Sequence, residues 1–167
     1  MAVQAYSKED VFVVGAAGGV GLFLGLSGAV SVSIIDSDTQ AFVGSGAKIN
    51  TNTSNAHADQ SVSMASGNQL KIFAVDGSVS GGLAGLAGAV DVGIIRNDTA
   101  AFVDDSIATN PTRINANRDI GVHAVADKDI ETTIVSGSIG GVGLIGAVSV
   151  YNIGGALESN YTADQGQ

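Results

Sequence analysis

The amino-acid sequence predicts an all-β fold, a parallel β-solenoid, on three observations. Residues 88–103 repeat residues 28–43 with eleven of sixteen positions identical, so the chain returns to the same motif after sixty residues. Apolar and polar residues alternate within each copy, which is the period of a strand with one buried face. The chain also carries 24 glycines and no convincing amphipathic helix. A fixed repeat of short strands is typical of a solenoid, in which successive coils stack on one another.

The first half of each repeat is expected to be strand interrupted by bends. Residues 1–10 are polar and are expected to be an entry segment. Residues 15–28 are glycine-rich, and glycine weakens a helix by up to about 1 kcal/mol relative to alanine, so we expect bends and closely packed strand there. The motif strand follows, then a turn at Asp38-Thr39 or Asp98-Thr99, because short polar side chains bond to nearby backbone. A short Ala-Phe-Val strand closes the motif.

The second half of the repeat begins with a polar stretch in which only residues 47–50 are a strand candidate. Farther on, Leu70, Ile72 and Ala74 share one parity and are expected to face inward. A third, partial copy of the motif starts near residue 146. We therefore expect a single solenoid domain over residues 11–161, built of about 2.5 repeats with about three coils in each, and a polar tail at 162–167.

The shared parity of the motif across its copies predicts a core ladder. Equivalent residues of stacked coils lie side by side, so the apolar residues of each copy are expected to point into one core. The predicted ladder consists of Val30, Val32, Ile34, Val90, Val92, Ile94, Val148 and Val150.

An antiparallel sandwich is the alternative fold, because it also uses many short strands. A sandwich gives no reason for a return after sixty residues with the same parity. It also favours tight Asn-Gly or Asp-Gly hairpin turns, and Asp76-Gly77 is the one such pair in the sequence. The repeat therefore favours the solenoid.

Charge and composition exclude several classes of function. Sixteen acidic and seven basic residues give a formal charge of −9, and the bases are dispersed, which argues against binding nucleic acid through its phosphates. The chain has no cysteine, so no disulfide framework or thiolate metal site is possible. The first residues lack the basic head and apolar stretch of a signal peptide.

Two uncharged runs, residues 11–35 and 132–157, are each long enough to span a bilayer as a helix. Both contain many glycines, and their polar residues alternate with apolar ones. The equivalent stretch of the second copy is interrupted by Asp76 and Asp91. These features argue against a membrane-spanning helix, although the Gly-xxx-Gly spacings in these stretches suit helix packing in membranes.

No set of residues in the sequence predicts catalysis, a cofactor site or a metal site. His57 and His123 are not equivalent in the repeat and are expected to be ordinary surface residues. No serine lies in a Gly-x-Ser-x-Gly motif with acid and histidine partners, so we expect no enzyme. Five acids near the predicted turns could attract calcium, but solvated turn acids are the simpler interpretation; they are Asp36, Asp38, Asp98, Asp104 and Asp105.

The repeat unit resembles that of very large bacterial surface proteins. The shared pattern is a glycine-rich run, Gly-Ala-Val-x-Val-x-Ile-Ile, an Asp-Thr pair and Ala-Phe-Val. It is similar to the repeats of leukotoxin-type and filamentous-haemagglutinin-like passengers of autotransporters and two-partner secretion systems. The resemblance implies a right-handed parallel β-helix, secreted or held at the bacterial cell surface, with an adhesive, spacer or fibre role. It names no host ligand.

Three functions follow as hypotheses. The first is a structural or adhesive segment whose partners are neighbouring repeats of a longer chain or further copies of itself, stacked head to tail through open strand edges. The second is a glycine-rich, membrane-active protein that uses the uncharged runs. A carbohydrate-processing β-helix enzyme is a distant third, because it would need converging acids and bases with aromatic sugar platforms.

Overall fold

The computed structural model describes residues 1–105 and 109–154, and these residues contain strands and no helix. Four strands are long and two are short. In chain order they are β1 (Ala2–Val20), β2 (Leu24–Val43), β3 (Lys48–Ile49), β4 (Val62–Val103), β5 (Arg113–Ile114) and β6 (Ile120–Ile153).

All pairings of these strands are parallel. The central strand β4 pairs with β1, β2 and β6, while β3 and β5 form a separate two-stranded sheet. Partners lie 61 residues apart between β1 and β4, 60 apart between β2 and β4, and 58 apart between β4 and β6. One repeat therefore makes one row of the sheet. We call β1 with β2 row 1, β4 row 2 and β6 row 3.

The predicted three coils per repeat are wrong, because a coil of about 20 residues would pair residues about 20 apart. The strands run on through the positions predicted as turns. Asp38-Thr39 lies inside β2, and Asp98-Thr99 lies inside β4. Short polar side chains do not force a turn where the backbone can keep its hydrogen bonds to a neighbouring row.

Each row folds back on itself at a glycine-rich bend, so that it has two arms. In row 1 the bend lies between β1 and β2, and in row 2 the pairing with row 3 is interrupted at Leu83. The inner faces of the arms meet, since the Ser31 hydroxyl in the second arm of row 1 lies 2.8 Å from the Asp76 carboxylate in the first arm of row 2. A side chain at Gly25 would overlap the Gly81 carbonyl, so the arms approach closely near the bend.

The structure also shows what two other predicted segments form. Residues 2–10, predicted as an entry segment, pair with residues 63–71 and form the first half of β1. The strand candidate at residues 47–50 is confirmed as β3. The predicted tail at 162–167 and the last residues of the predicted domain lie outside the described residues.

The apolar core lies between the arms and is contributed mainly by row 2. Leu70, Ile72 and Ala74 are fully buried, as their parity predicts. Ile95 from the second arm packs with Leu70 and Ile72, and Val11, Ile35, Ile130 and Tyr151 from the neighbouring rows pack against this cluster. Row 2 is buried best because it has a row on each side.

The predicted core ladder is correct in register and wrong in direction. Val30, Val90 and Val148 pair across the three rows, as do Val32, Val92 and Val150, and Ile34 pairs with Ile94. None of these side chains is buried, however. Val30 is 71% exposed and Ile34 is 70% exposed, Val32, Val90, Val148 and Val150 are also exposed, and Val92 and Ile94 are half-buried.

The direction is reversed because the opposite parity carries small and polar residues that suit the narrow space between the arms. Ala29, Ala89, Ser31 and Asp91 occupy the inner face of the second arm and are buried. A strand alternation shows that two faces differ, but it does not show which face meets another layer. Here the motif valines and Ile34 take the outer face, while Ile95 of the inner parity packs in the core.

Candidate functional site

A buried acid pair lies between the arms. The Ser31 Oγ is 2.8 Å from Asp76 Oδ2 and 2.7 Å from Asp91 Oδ1, and both carboxyl groups are fully buried. The Ser31 hydroxyl therefore bridges the two carboxyl groups. The second Asp76 oxygen has no hydrogen-bond partner within the described residues. The cluster is sealed from a large substrate such as a polysaccharide.

Tyr151 of row 3 lies beside this pair. Its ring covers Gly93, where any side chain would overlap the phenol ring. Burial of the phenol raises the pKa of Tyr151 above its ordinary value of 10.0, and the nearby Asp91 and Asp76 carboxyl groups raise it further. No hydrogen-bond partner of the Tyr151 hydroxyl lies within the described residues. The phenol beside the acid pair therefore keeps its proton to a higher pH than a free tyrosine does.

The outer face of the second arm is an apolar surface that crosses all three rows. Leucines form one ladder, glycines the next and valines the two after it, and the glycine ladder leaves an open groove of about 580 Å³. Leu26, Leu144 and Val148 are each more than half exposed. The outer apolar face is composed of Leu26, Leu86, Leu144, Gly28, Gly88, Gly146, Val30, Val90, Val148, Val32, Val92 and Val150.

The aromatic positions of the repeat also stack. Phe12 and Phe73 have ring centroids 5.7 Å apart with planes 5° from parallel, and Phe42 and Phe102 have centroids 5.3 Å apart with planes 8° from parallel. Such stacking requires that equivalent residues of successive rows lie at the same height. The rings therefore support the observed register.

The outer face of the first arm carries a band of alternating charges. Lys8 Nζ lies 3.3 Å from Asp10 in row 1, and Lys71 Nζ lies 3.8 Å from Asp129, which joins row 2 to row 3. These side chains are more than half exposed, so each pair contributes about 0–1 kcal/mol to stability. Lys8 and Asp10 lie on the row 1 edge of the sheet and Asp129 lies on the row 3 edge.

The sheet has open edges at rows 1 and 3. Among residues 1–105 and 109–154, β1 and β2 pair only with β4, and β6 also pairs only with β4. The outer-edge backbone groups of these strands are therefore without a strand partner in that part of the chain. Unpaired edges of parallel sheets are surfaces on which another strand can add.

The predicted turn acids do not meet in one place. Asp36, Asp38 and Asp98 are exposed on strands, and Asp38 lies beside Asp98 while Asp36 lies beside Arg96. Asp104 and Asp105 follow β4, where the Asp105 carboxylate accepts a hydrogen bond from the Thr112 backbone. The described part of the chain contains no group of three or more acidic or histidine side chains that could hold a metal ion.

The two histidines are both exposed and lie on different elements. His57 is in the loop before β4, where its Nδ1 accepts a hydrogen bond from the Asp59 backbone, and His123 is on β6.

In the ranges that the structure covers, no helix has the length and hydrophobicity to cross a membrane.

The acid pair and the charged edges were not singled out from the sequence. Asp76 and Asp91 lie at nearly equal distances on either side of Leu83, the centre of the bend. Once the bend is placed at Leu83, this spacing predicts that the two residues face each other across the arms. The match between the edge charges depends on the register between rows, because the offset between paired residues changes from 61 to 58 along the stack.

Comparisons with known proteins add no assignment. No protein-family profile, no curated protein sequence and no solved structure gives a significant match to this chain.

Proposed function

We propose that this chain is a structural or adhesive segment of a bacterial fibre protein that is secreted or held at the cell surface. Its repeats build a parallel β-solenoid of the leukotoxin or filamentous-haemagglutinin type. The segment acts through length and surface area, and the proposal includes no catalytic step, cofactor or metal. Its partners are neighbouring repeats, further copies of the chain, or a ligand on a host surface.

The observation that carries this proposal is the parallel stacking of whole repeats. Identical residues such as Gly88, Ala89 and Val90 lie beside their counterparts in both neighbouring rows. A stack of this kind can be lengthened by one repeat at a time without altering the rows already present. The open edges of rows 1 and 3 permit the same growth.

Insertion of extra repeats tests the proposal. A second copy of residues 44–103 placed after Val103 adds one row, and a third copy adds two. Because the stability of a stacked array grows with its nearest-neighbour interfaces, the melting temperature is expected to rise with each row while the strand signal per residue stays constant. A lower melting temperature, or a separate transition for the added repeat, would contradict the proposal.

The cellular location is tested on intact cells of the organism that makes the protein. Antibodies against this segment should label unpermeabilised cells or the culture medium, and external protease should remove the cell-bound signal. Labelling that appears only after permeabilisation would argue against a surface or secreted role.

Membrane activity is the second candidate, and the outer apolar face favours it. Val30, Ile34 and Leu144 are each about 70% exposed on one side of the second arm. A flat apolar surface of this kind can insert into the headgroup region of a bilayer. Because the chain carries −9 charges, it should float with vesicles of zwitterionic lipid more than with anionic ones. Absence from both lipid fractions would remove this candidate.

A carbohydrate-processing enzyme gains no supporting observation. The one pair of carboxyl groups bridged by a hydroxyl in the described residues, Asp76 and Asp91, is fully buried. A glycosidase needs its two carboxyl groups on either side of a bond in bound substrate. We do not propose this function.

A further inference from the structure

The two open edges of the sheet face opposite ends of the stack. Row 1 exposes the outer edge of β1 and β2, and row 3 exposes the outer edge of β6, in the residues that the structure describes. All three rows run in the same direction. A second copy of the chain placed on row 3 with its own row 1 would therefore continue the parallel sheet without turning any strand around.

The charges on the two edges match when the observed register is extended by one row. Lys8, Gln69 and Asp127 form one ladder across the rows, so the next row places Lys8 of a second copy beside Asp127. Glu9, Leu70 and Lys128 form the adjacent ladder, so the same step places Glu9 beside Lys128. Two neighbouring positions thus bring opposite charges together at the spacing of paired strands, about 4.8 Å.

One neighbouring position brings like charges together. The same register places Asp10 of the second copy beside Asp129. Each of these carboxylates already has a cation, because Asp10 lies 3.3 Å from Lys8 and Asp129 lies 3.8 Å from Lys71. Lys8 of the second copy would stand close to the carboxylates at 127 and 129, so the junction as a whole is attractive.

The apolar ladders of the second arm also continue across the junction. Extending the register places Leu26 of the second copy beside Leu144, and Val30 beside Val148. All four side chains are at least half exposed in the single chain. Contact between them removes apolar surface from water, which stabilises association by roughly 25 cal/mol for each Å² buried.

We propose that row 3 of one copy binds row 1 of a second copy in the same parallel register, with Asp127 beside Lys8 and Lys128 beside Glu9. This inference rests on the proposed function, since it treats the chain as a stackable segment. The contact joins two different surfaces and does not close on itself, so it produces filaments. The net charge of −9 opposes the contact at low salt, and screening over about 8 Å at 0.15 M ionic strength relieves that repulsion more than it weakens the adjacent charge pairs.

Charge exchange at the junction tests the proposal in the full-length protein. Sedimentation velocity at about 0.15 M ionic strength should show the average mass of the unmodified protein rising with concentration. Lys8→Glu places two carboxylates side by side, and Asp127→Lys places two cations side by side. Each variant alone should associate at least about tenfold more weakly. Lys48→Glu changes the net charge as much as Lys8→Glu but lies on β3 in the separate two-stranded sheet, and should associate as the unmodified protein does.

Mixing the two single variants gives the decisive result. In the mixture, Asp127 of the Lys8→Glu copy meets Lys8 of the Asp127→Lys copy, and the introduced lysine meets the introduced glutamate. The mixture should therefore assemble as strongly as the unmodified protein. Circular dichroism of each single variant checks that the variant folds. An unmodified protein that stays monomeric at all concentrations and salt levels overturns the inference, as does assembly that the single variants leave unchanged or that mixing fails to restore. The repeat-insertion experiment reports on contacts within one chain, so a failed junction with successful insertion would leave the proposed function intact.

Discussion

At the scale of residues, the contact of one serine with two buried carboxyl groups is the strongest local constraint. Ser31 Oγ lies within 2.8 Å of an oxygen from each of Asp76 and Asp91, and no cationic partner of either carboxyl group is present in the described contacts. Burying two carboxyl groups side by side without a counter-ion is costly, so this contact carries a free-energy penalty that the rest of the fold offsets.

Asp91→Asn is therefore expected to leave the fold intact and to raise its free energy of unfolding by on the order of 1 kcal/mol. The asparagine amide can donate to Ser31 Oγ while Ser31 donates to Asp76, and the substitution removes one of two neighbouring buried carboxyl groups. Urea denaturation at pH 7 measures the change. As a control, Asp98→Asn removes an exposed carboxylate and should change stability by less than about 0.5 kcal/mol. A loss of stability in Asp91→Asn would contradict the cost assigned to the buried acid pair.

Tyr151 gives a prediction at alkaline pH. Because the folded protein raises the pKa of Tyr151, the folded state keeps the phenol proton that the unfolded chain loses near pH 10. The stability contributed by the neutral phenol is complete below pH 10 and is lost as the pH rises above it. The melting temperature of the unmodified protein should therefore fall more steeply between pH 9 and pH 11 than that of Tyr151→Phe. Tyr6→Phe, at an exposed tyrosine, should keep the steep dependence, and equal slopes for all three proteins would refute the assignment.

At the scale of elements, the two parities of the second arm have opposite roles. Ile95 is fully buried in the core cluster, whereas Ile34, which has the opposite parity in row 1, is 70% exposed on the outer side of the second arm. Ile95→Ala is therefore expected to cost about 2–5 kcal/mol, as for other buried isoleucines, and Ile34→Ala less than about 1 kcal/mol. Thermal or urea unfolding of the two variants compares the same truncation on opposite faces. Equal losses of stability, or a larger loss for Ile34→Ala, would support the predicted ladder in which Ile34 points into the core.

Much of the element structure could be predicted from the sequence, and the reasons for the failures are physical. The parity of Leu70, Ile72 and Ala74 predicts their burial because the opposite parity includes Lys71, which stays in water. The parity of the second arm is ambiguous, because Ala and Ser on one side and Val and Ile on the other can both face a second layer. The distance between the arms decides between them, and that distance is set by glycines such as Gly25 and not by the motif itself.

The strands are longer than the sequence predicts for a related reason. Asp38-Thr39 has the composition of a turn, but its backbone pairs with Asp98-Thr99 of the next row. When every residue has an equivalent at the same height in the next row, backbone hydrogen bonds continue past residues that would otherwise end a strand. The local propensity is overridden by the stack.

At the scale of the whole molecule, one repeat makes one row of the sheet. Sixty residues separate equivalent positions of rows 1 and 2, and they lie side by side. The growth of the array, the match of the charged edges and the apolar face across all rows follow from this register. A fold with three coils in each repeat would place the same residues three coils apart, about 14 Å along the stack.

Cysteine pairs measure this register directly, because the chain has no cysteine of its own. Val30→Cys/Val90→Cys places thiols on neighbouring rows of the exposed face, at a spacing that a disulfide can bridge. Mild oxidation of the dilute protein should give an intramolecular disulfide in high yield, identified by mass spectrometry after proteolysis. Val30→Cys/Ile34→Cys, in one row and about 13 Å apart along the strand, should give none. A protein in which the Val30→Cys/Val90→Cys pair stays reduced under these conditions would contradict the stacking of one row per repeat.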